Sequence, residues 1–115
     1  MKFLVNFEGT EAAVSANPRE YAMMIEGILI PSLEMIEKWE REGKVVGGNF
    51  AGERAGCLII EAEGPEELSR SLSKLPFWGS VNTNVSPMQS FSSVIEQTRQ
   101  QLNSLKARAQ AMPIR

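Results

Sequence analysis

The chain has no histidine and a single cysteine among its 115 residues. Without an imidazole there can be no Ser-His-Asp or Cys-His nucleophile system, no His-ligated zinc or haem, and no histidine acid or base. One thiol, Cys57, allows neither an internal disulfide nor a cysteine metal cage. With no histidine to make its thiolate and no CxxC pattern beside it, Cys57 reads as a small buried hydrophobe. No metal and no cofactor are therefore expected. Long apolar runs are missing too, and nothing approaches the roughly 20 residues that span a bilayer. The opening Met1-Lys2-Phe3-Leu4-Val5-Asn6-Phe7-Glu8 is too short an apolar run for a signal peptide and is closed by a carboxylate. A soluble, cytoplasmic protein with no membrane partner is the expectation. A net charge of −2 gives no electrostatic case for nucleic acid.

What is present suits one domain with one modest core: 43 % hydrophobic and 23 % charged residues. The charge is unevenly placed. All 14 acids lie at or before Glu96, so the chain up to that point balances at −6, and the remainder carries Arg99, Lys106, Arg108 and Arg115. Cations near a helix C-terminus complement its dipole; a basic tail laid on an acidic surface of its own or a partner subunit is the other reading.

Lys2 to Glu8 alternates Phe3, Val5 and Phe7 with polar residues, Leu4 excepted, which predicts a half-buried strand. A turn-like stretch follows. Asn17-Pro18-Arg19-Glu20 supplies an N-cap, a proline at the first helical position and an acid in the first turn. Tyr21, Met24, Ile25, Ile28, Leu29, Leu33, Ile36 and Trp39 keep one helical face apolar, with Pro31 expected to kink the helix and Gly43 to cap it. Lys44 to Ala51 reads as a strand weakened by Gly47 and Gly48, and Cys57 to Glu63 as a stronger one after a glycine-bearing turn. Gly64-Pro65-Glu66-Glu67 opens a short helix buried through Leu68, Leu72 and Leu75, which Leu75-Pro76-Phe77-Trp78-Gly79 ends. Val81, Thr83 and Val85 then alternate in a fourth strand. The order βαββαβ predicts an α+β, ferredoxin-like unit over residues 1–88, with a four-stranded antiparallel sheet and both helices on one face.

Residues 89–115 are expected to form a C-terminal amphipathic helix extension. Phe91, Ile95, Thr98, Leu102, Leu105, Ala109 and Met112 recur at spacings of four and three. That is a narrow seam suited to one other helix, either on its own domain or on another subunit.

Strand parity divides the sheet. Phe3, Val5, Phe7, Leu58, Ile60, Val81, Thr83 and Val85 suit the helix side. The opposite set mixes Leu4, Cys57 and Ile59 with Lys2, Asn6, Glu8, Glu61, Asn82 and Asn84. Two such faces packed together would enclose a partly apolar cavity shared by two subunits, the usual make-up of a small-molecule site. Glu61 and Glu8 are the candidate acid–base groups, since enclosure raises a carboxylate pKa toward neutrality. Arg54 is placed in a turn where it can pair with a substrate carboxylate. Asn6, Asn82 and Asn84 can hydrogen-bond a carbonyl or hydroxyl, or simply pair across the strands, and Trp78 is a core anchor that can rim the cavity.

Lys2-Phe3-Leu4-Val5, the turn into Ala55-Gly56-Cys57-Leu58-Ile59-Ile60-Glu61, the helix start Glu66-Glu67-Leu68 and the break Leu75-Pro76-Phe77-Trp78 together resemble the muconolactone isomerase-like families of the dimeric α+β barrel superfamily. The resemblance spans roughly residues 1–91, and its motifs are structural rather than catalytic. It implies a homodimer or larger homo-oligomer and a small organic substrate. The implied activity is proton transfer that migrates a double bond in a lactone or conjugated acid, with Glu61 or Glu8 as base and Asn82, Asn84 or Arg54 steadying the dienolate. The superfamily's haem-degrading branch depends on histidine and is excluded. Two further readings stay open: a ligand-binding or assembly protein without catalysis, and a cofactor-independent monooxygenase or cyclase.

Overall fold

Four strands and their flanking helices follow one another as the hydrophobic pattern dictates. The computed structural model describes residues 1–10 and 17–113, so the turn-like stretch expected after the first strand lies largely outside the described residues. The elements are β1 (Lys2–Gly9), α1 (Pro18–Met24), a π-helical segment (Ile25–Leu29), α2 (Ile30–Arg41), β2 (Val45–Asn49), β3 (Ala55–Glu61), α3 (Pro65–Leu72), a short 3₁₀ turn (Trp78–Ser80), β4 (Val81–Pro87) and α4 (Phe91–Ala111). The sheet is antiparallel throughout, in the order β2-β3-β1-β4. This is the ferredoxin-like βαββαβ arrangement, with a helical extension appended.

The helix signals act as their chemistry requires. The Asn17 side chain accepts hydrogen bonds from the amides of Arg19 and Glu20, closing the start of α1. Gly43 takes φ +75° just past α2, the left-handed position glycine fills without strain. Pro31 behaves differently from the expected kink. It has no amide hydrogen to offer the Gly27 carbonyl, and the helix widens over Ile25–Leu29, where the Ile30 amide reaches back to the Ile25 carbonyl. A π segment absorbs the misfit and lets one continuous helical rod run from residue 18 to residue 41.

The core lies between this helical layer and one face of the sheet. Phe3, Val5 and Phe7 of β1, Val45 of β2, and Leu58 and Ile60 of β3 meet Leu68 and Leu72 of α3, with Leu75 and Phe77 closing one side. Parity placed Thr83 and Val85 on this same face, and their register against Phe7 and Val5 agrees. Both nevertheless stay exposed, because β4 is the edge strand and neither helix reaches over it beyond Val81. Their expected burial is therefore corrected: facing the helix side is not the same as being covered by it.

One polar side chain is built into this core. Ser32 on α2 is completely buried; its hydroxyl donates to the Ile28 carbonyl at 2.7 Å and accepts from the Phe77 amide at 2.9 Å. It ties the helical rod to the Leu75–Trp78 break, whose amide would otherwise be stranded away from water. Ser32→Ala should cost about 1–3 kcal/mol in urea unfolding, the penalty for an unsatisfied buried donor, with an unchanged m-value.

The last helix is set apart. Every described residue of α4 is exposed. The radius of gyration is 21.2 Å and the longest dimension 76 Å, whereas a compact domain of this length has a radius near roughly 13 Å. In the single chain α4 projects from the body rather than docking on it.

Candidate functional site

The hairpin between β2 and β3 places the charged groups of the site. Gly52 adopts φ +76° in the tight turn closed by the Glu53 amide on the Phe50 carbonyl at 3.0 Å. The Asn49 side-chain amide donates to the carbonyls of Phe50 and Glu53, at 3.0 and 2.9 Å, and braces the loop. The Arg54 carbonyl then accepts from the Gly9 amide at 2.7 Å, pinning the hairpin to the end of β1. The Arg54 guanidinium reaches the Thr10 carbonyl through Nη1 at 3.4 Å. Thr10 is itself tied to the Ser80 carbonyl by its amide and hydroxyl, so the ends of β1 and the 3₁₀ turn are drawn together.

Beneath this hairpin, between the sheet and the α1–α2 rod, lies a cavity of about 310 Å³. Its walls are apolar: Phe7 and Phe77, whose rings tilt against each other at 5.7 Å, with Met24, Leu29, Leu33 and Val81. The exposed Glu53 and Arg54 stand on its rim, and Asn49, Tyr21 and Ser80 are the other polar residues of its lining. The volume falls at the low end of small-molecule sites, about 300–1,000 Å³, enough for one ring with its substituents. An apolar chamber with a guanidinium in its lining has the chemistry to take a flat acid, body inward and carboxylate toward Arg54.

Of the residues singled out from sequence, this cavity gathers Arg54 alone. Asn6, Glu8, Asn82 and Asn84 come together elsewhere, on the sheet face away from the helices. The register sets Asn6 opposite Asn84 and Glu8 opposite Asn82, and all four border a shallow groove of about 250 Å³. Glu61 is not with them. It pairs with Lys2 across β1 and β3, six residues from Glu8 along β1 and hence about 20 Å away. The two carboxylates cannot share one small substrate within a chain.

The expected upward shift of the Glu61 pKa is also corrected. Its carboxylate is exposed and accepts a hydrogen bond from the Met1 ammonium at 2.8 Å, which holds its pKa below the usual carboxylate value. Trp78 is half-buried against the core and is not part of the cavity wall. Cys57 is a free thiol, half-buried on the open sheet face rather than in the core. Glu53, Tyr21 and Ser80 were not anticipated. Glu53 adjoins Arg54 in the same glycine-bearing turn, the one signal that could have found it.

Among the described residues no His, Cys, Asp or Glu cluster is arranged to hold a metal, and no helix is long and apolar enough to cross a membrane. No protein-family model and no curated protein matches the chain. Solved structures do. They share its ferredoxin-like α+β fold. The crystal structure of muconolactone isomerase superposes with a TM-score of 0.63 at 20 % identity, over 78 % of this chain and 90 % of that one. The 5-chloro-2-hydroxyhydroquinone dehydrochlorinase of Burkholderia phenoliruptrix AC1100, in complex with 2,5-dihydroxybenzoquinone, superposes with a TM-score of 0.56 at 22 % identity. That match covers 81 % of this chain and 98 % of the other.

Proposed function

We propose that this chain is a small-molecule isomerase-like protein that shifts a double bond by proton transfer in a lactone or conjugated acid. One observation carries the reading: the apolar cavity of about 310 Å³ with a carboxylate, Glu53, and a guanidinium, Arg54, adjacent on its rim. The likeness of fold to an isomerase and to a dehydrochlorinase, both acting on small organic molecules by their names, supports it.

In this reading Arg54 takes the substrate carboxylate as a bidentate pair, with Phe7, Phe77 and Val81 against the unsaturated body. Glu53 removes the proton next to the carbonyl, and the electron pair delocalises into a dienolate. Arg54 and the Tyr21 hydroxyl stabilise the negative charge as it forms. Glu53 then returns the proton to the far carbon of the dienolate, so the double bond has moved and no group is gained or lost. The open sheet face, with Leu4, Ile59 and the exposed Val46, is proposed to pair with the same face of a second copy. Glu8, Asn6, Asn82 and Asn84 would then lie in a shared cleft, the position expected for them in a dimer.

The test is deuterium uptake. Incubated with small β,γ-unsaturated acids and lactones in D₂O, the protein should catalyse exchange at the carbon next to the carbonyl, read by proton NMR. Met24→Trp, which fills the chamber from α1, should abolish that exchange while leaving the circular dichroism spectrum unchanged. Ligand binding without any exchange would instead support a non-catalytic binding protein.

A further inference from the structure

α4 carries an apolar seam that its own chain leaves uncovered. Phe91, Ile95, Leu102, Leu105 and Met112 are all exposed, Phe91 by 87 %. The helix is 21 residues long, about 32 Å. Its departure from the sheet is fixed rather than loose. The Met88 amide donates to the Lys2 carbonyl at 2.8 Å, Ser90 caps the helix by accepting from the Ser93 amide at 3.2 Å, and Gln89 donates to the Ser93 hydroxyl at 2.9 Å. Every residue of the seam is left open to solvent in the single chain.

The charges beside the seam say what kind of surface covers it. With the apolar positions as the a and d sites of a heptad, the flanking e and g sites hold Arg99, Lys106 and Arg108 and no acid. Two copies of α4 laid together would set cations against cations. The complementary surface is on the other rod. Along the outer face of α1, the π segment and α2, Met23 and Ile30 are exposed apolar side chains, and the part-exposed Leu33 borders them where the rod meets the cavity mouth. Glu26, Glu34 and Glu40 lie along the same side, exposed and without an ion-pair partner among the described residues. Residues 18–41 of that rod span about 36 Å, close to the length of α4.

We propose that α4 of one chain docks along the outer face of the α1–α2 rod of a second copy. Phe91, Ile95, Leu102 and Leu105 cover Met23, Ile30 and Leu33, and Arg99, Lys106 and Arg108 meet Glu26, Glu34 and Glu40. The exchange is reciprocal and joins chains independently of any pairing between open sheet faces. It neither uses nor requires the chemistry of the cavity.

Charge exchange tests this on the full-length chain. One variant carries R99E, K106E and R108E; the other carries E26K, E34K and E40K. All six positions are exposed, and circular dichroism verifies that both variants fold. Each variant alone should show a lower average mass than wild type by light scattering at low ionic strength. Mixed in equal amounts, the two become complementary in both directions. Native mass spectrometry should then find mixed assemblies over unmixed ones by at least tenfold beyond the statistical ratio, the excess disappearing in 1 M salt. A statistical distribution in the mixture would overturn the proposal. So would unchanged self-association of either variant, or a monomeric wild type that uses α4 to bind anionic vesicles.

Discussion

Replacing Gly47 by alanine should destabilise the protein by about 3–5 kcal/mol, a large share of the ~5–15 kcal/mol available to a domain of this size. The midpoint of thermal unfolding should fall by roughly 10–20 °C. Two independent causes add. Gly47 sits at φ +148°, a backbone conformation that side-chain-bearing residues rarely adopt. A β-carbon built there would lie 2.1 Å from the Cys57 carbonyl oxygen, which is backbone of the neighbouring strand and cannot swing aside. Relief would require β2 to part from β3, and with it the hairpin that carries Glu53 and Arg54. The neighbouring glycine is the control. A β-carbon at Gly48 meets nothing within 4 Å, so Gly48→Ala should change stability by no more than about 0.5 kcal/mol. Equal effects at the two positions would show that strand propensity, not this close approach, governs the pair.

The contrast at these adjacent glycines shows what the amino-acid pattern carries and what it does not. That a glycine pair in a strand marks a close backbone approach was legible; which of the two makes the approach depends on pairing geometry. Local chemistry is legible wherever a signal and its effect sit within one turn. The Asn17-Pro18 start, the Gly43 cap and the proline-interrupted break at Leu75–Trp78 all fall where their residues put them. Pro31 shows the limit of such reasoning, because a lost hydrogen bond can be absorbed by a π segment as well as by a bend. Parity assigned the faces of β1 and β3 correctly. It could not say that β4 is an edge strand the helices do not cover, since that depends on the lateral reach of α3. Ser32 escaped notice because a serine within a helix ordinarily points to water, and its partner at Phe77 is 45 residues away.

The same reasoning explains the site residues. Glu8 and Glu61 share a face by parity, but antiparallel pairing of β1 with β3 sends them to opposite ends of the sheet. Glu61 is further committed to the Met1 ammonium. The chemistry of Arg54 singles it out from sequence, and the structure places it in the cavity lining. Glu53 is not legible in this way, because a carboxylate in a polar turn reads as solvated until the hairpin is seen to fold over an apolar chamber.

If the cavity performs the proposed proton transfer, Glu53→Gln should lower turnover by about 10²–10⁴-fold, the usual contribution of a positioned general base. The amide keeps the size of the carboxylate and the turn geometry, which rests on the Glu53 backbone rather than its side chain. Substrate affinity should therefore hardly change, and the loss should appear in kcat. Arg54→Ala should behave in the opposite proportion. It removes a charge-assisted pair to the substrate carboxylate, so KM should rise by about 10–100-fold, equivalent to ~1.5–3 kcal/mol. The fold should tolerate that change, since the hydrogen bond pinning the hairpin to Gly9 uses the Arg54 carbonyl. Arg54→Lys should recover only part of the affinity, because an ammonium keeps the charge but not the planar pair of donors. Steady-state kinetics on the same unsaturated acids separates the two roles. Full turnover in Glu53→Gln would move the base elsewhere, with Glu8 in a cleft between sheet faces the next residue to replace. An Arg54→Ala variant with unaltered KM would mean that the acid enters the chamber in another orientation.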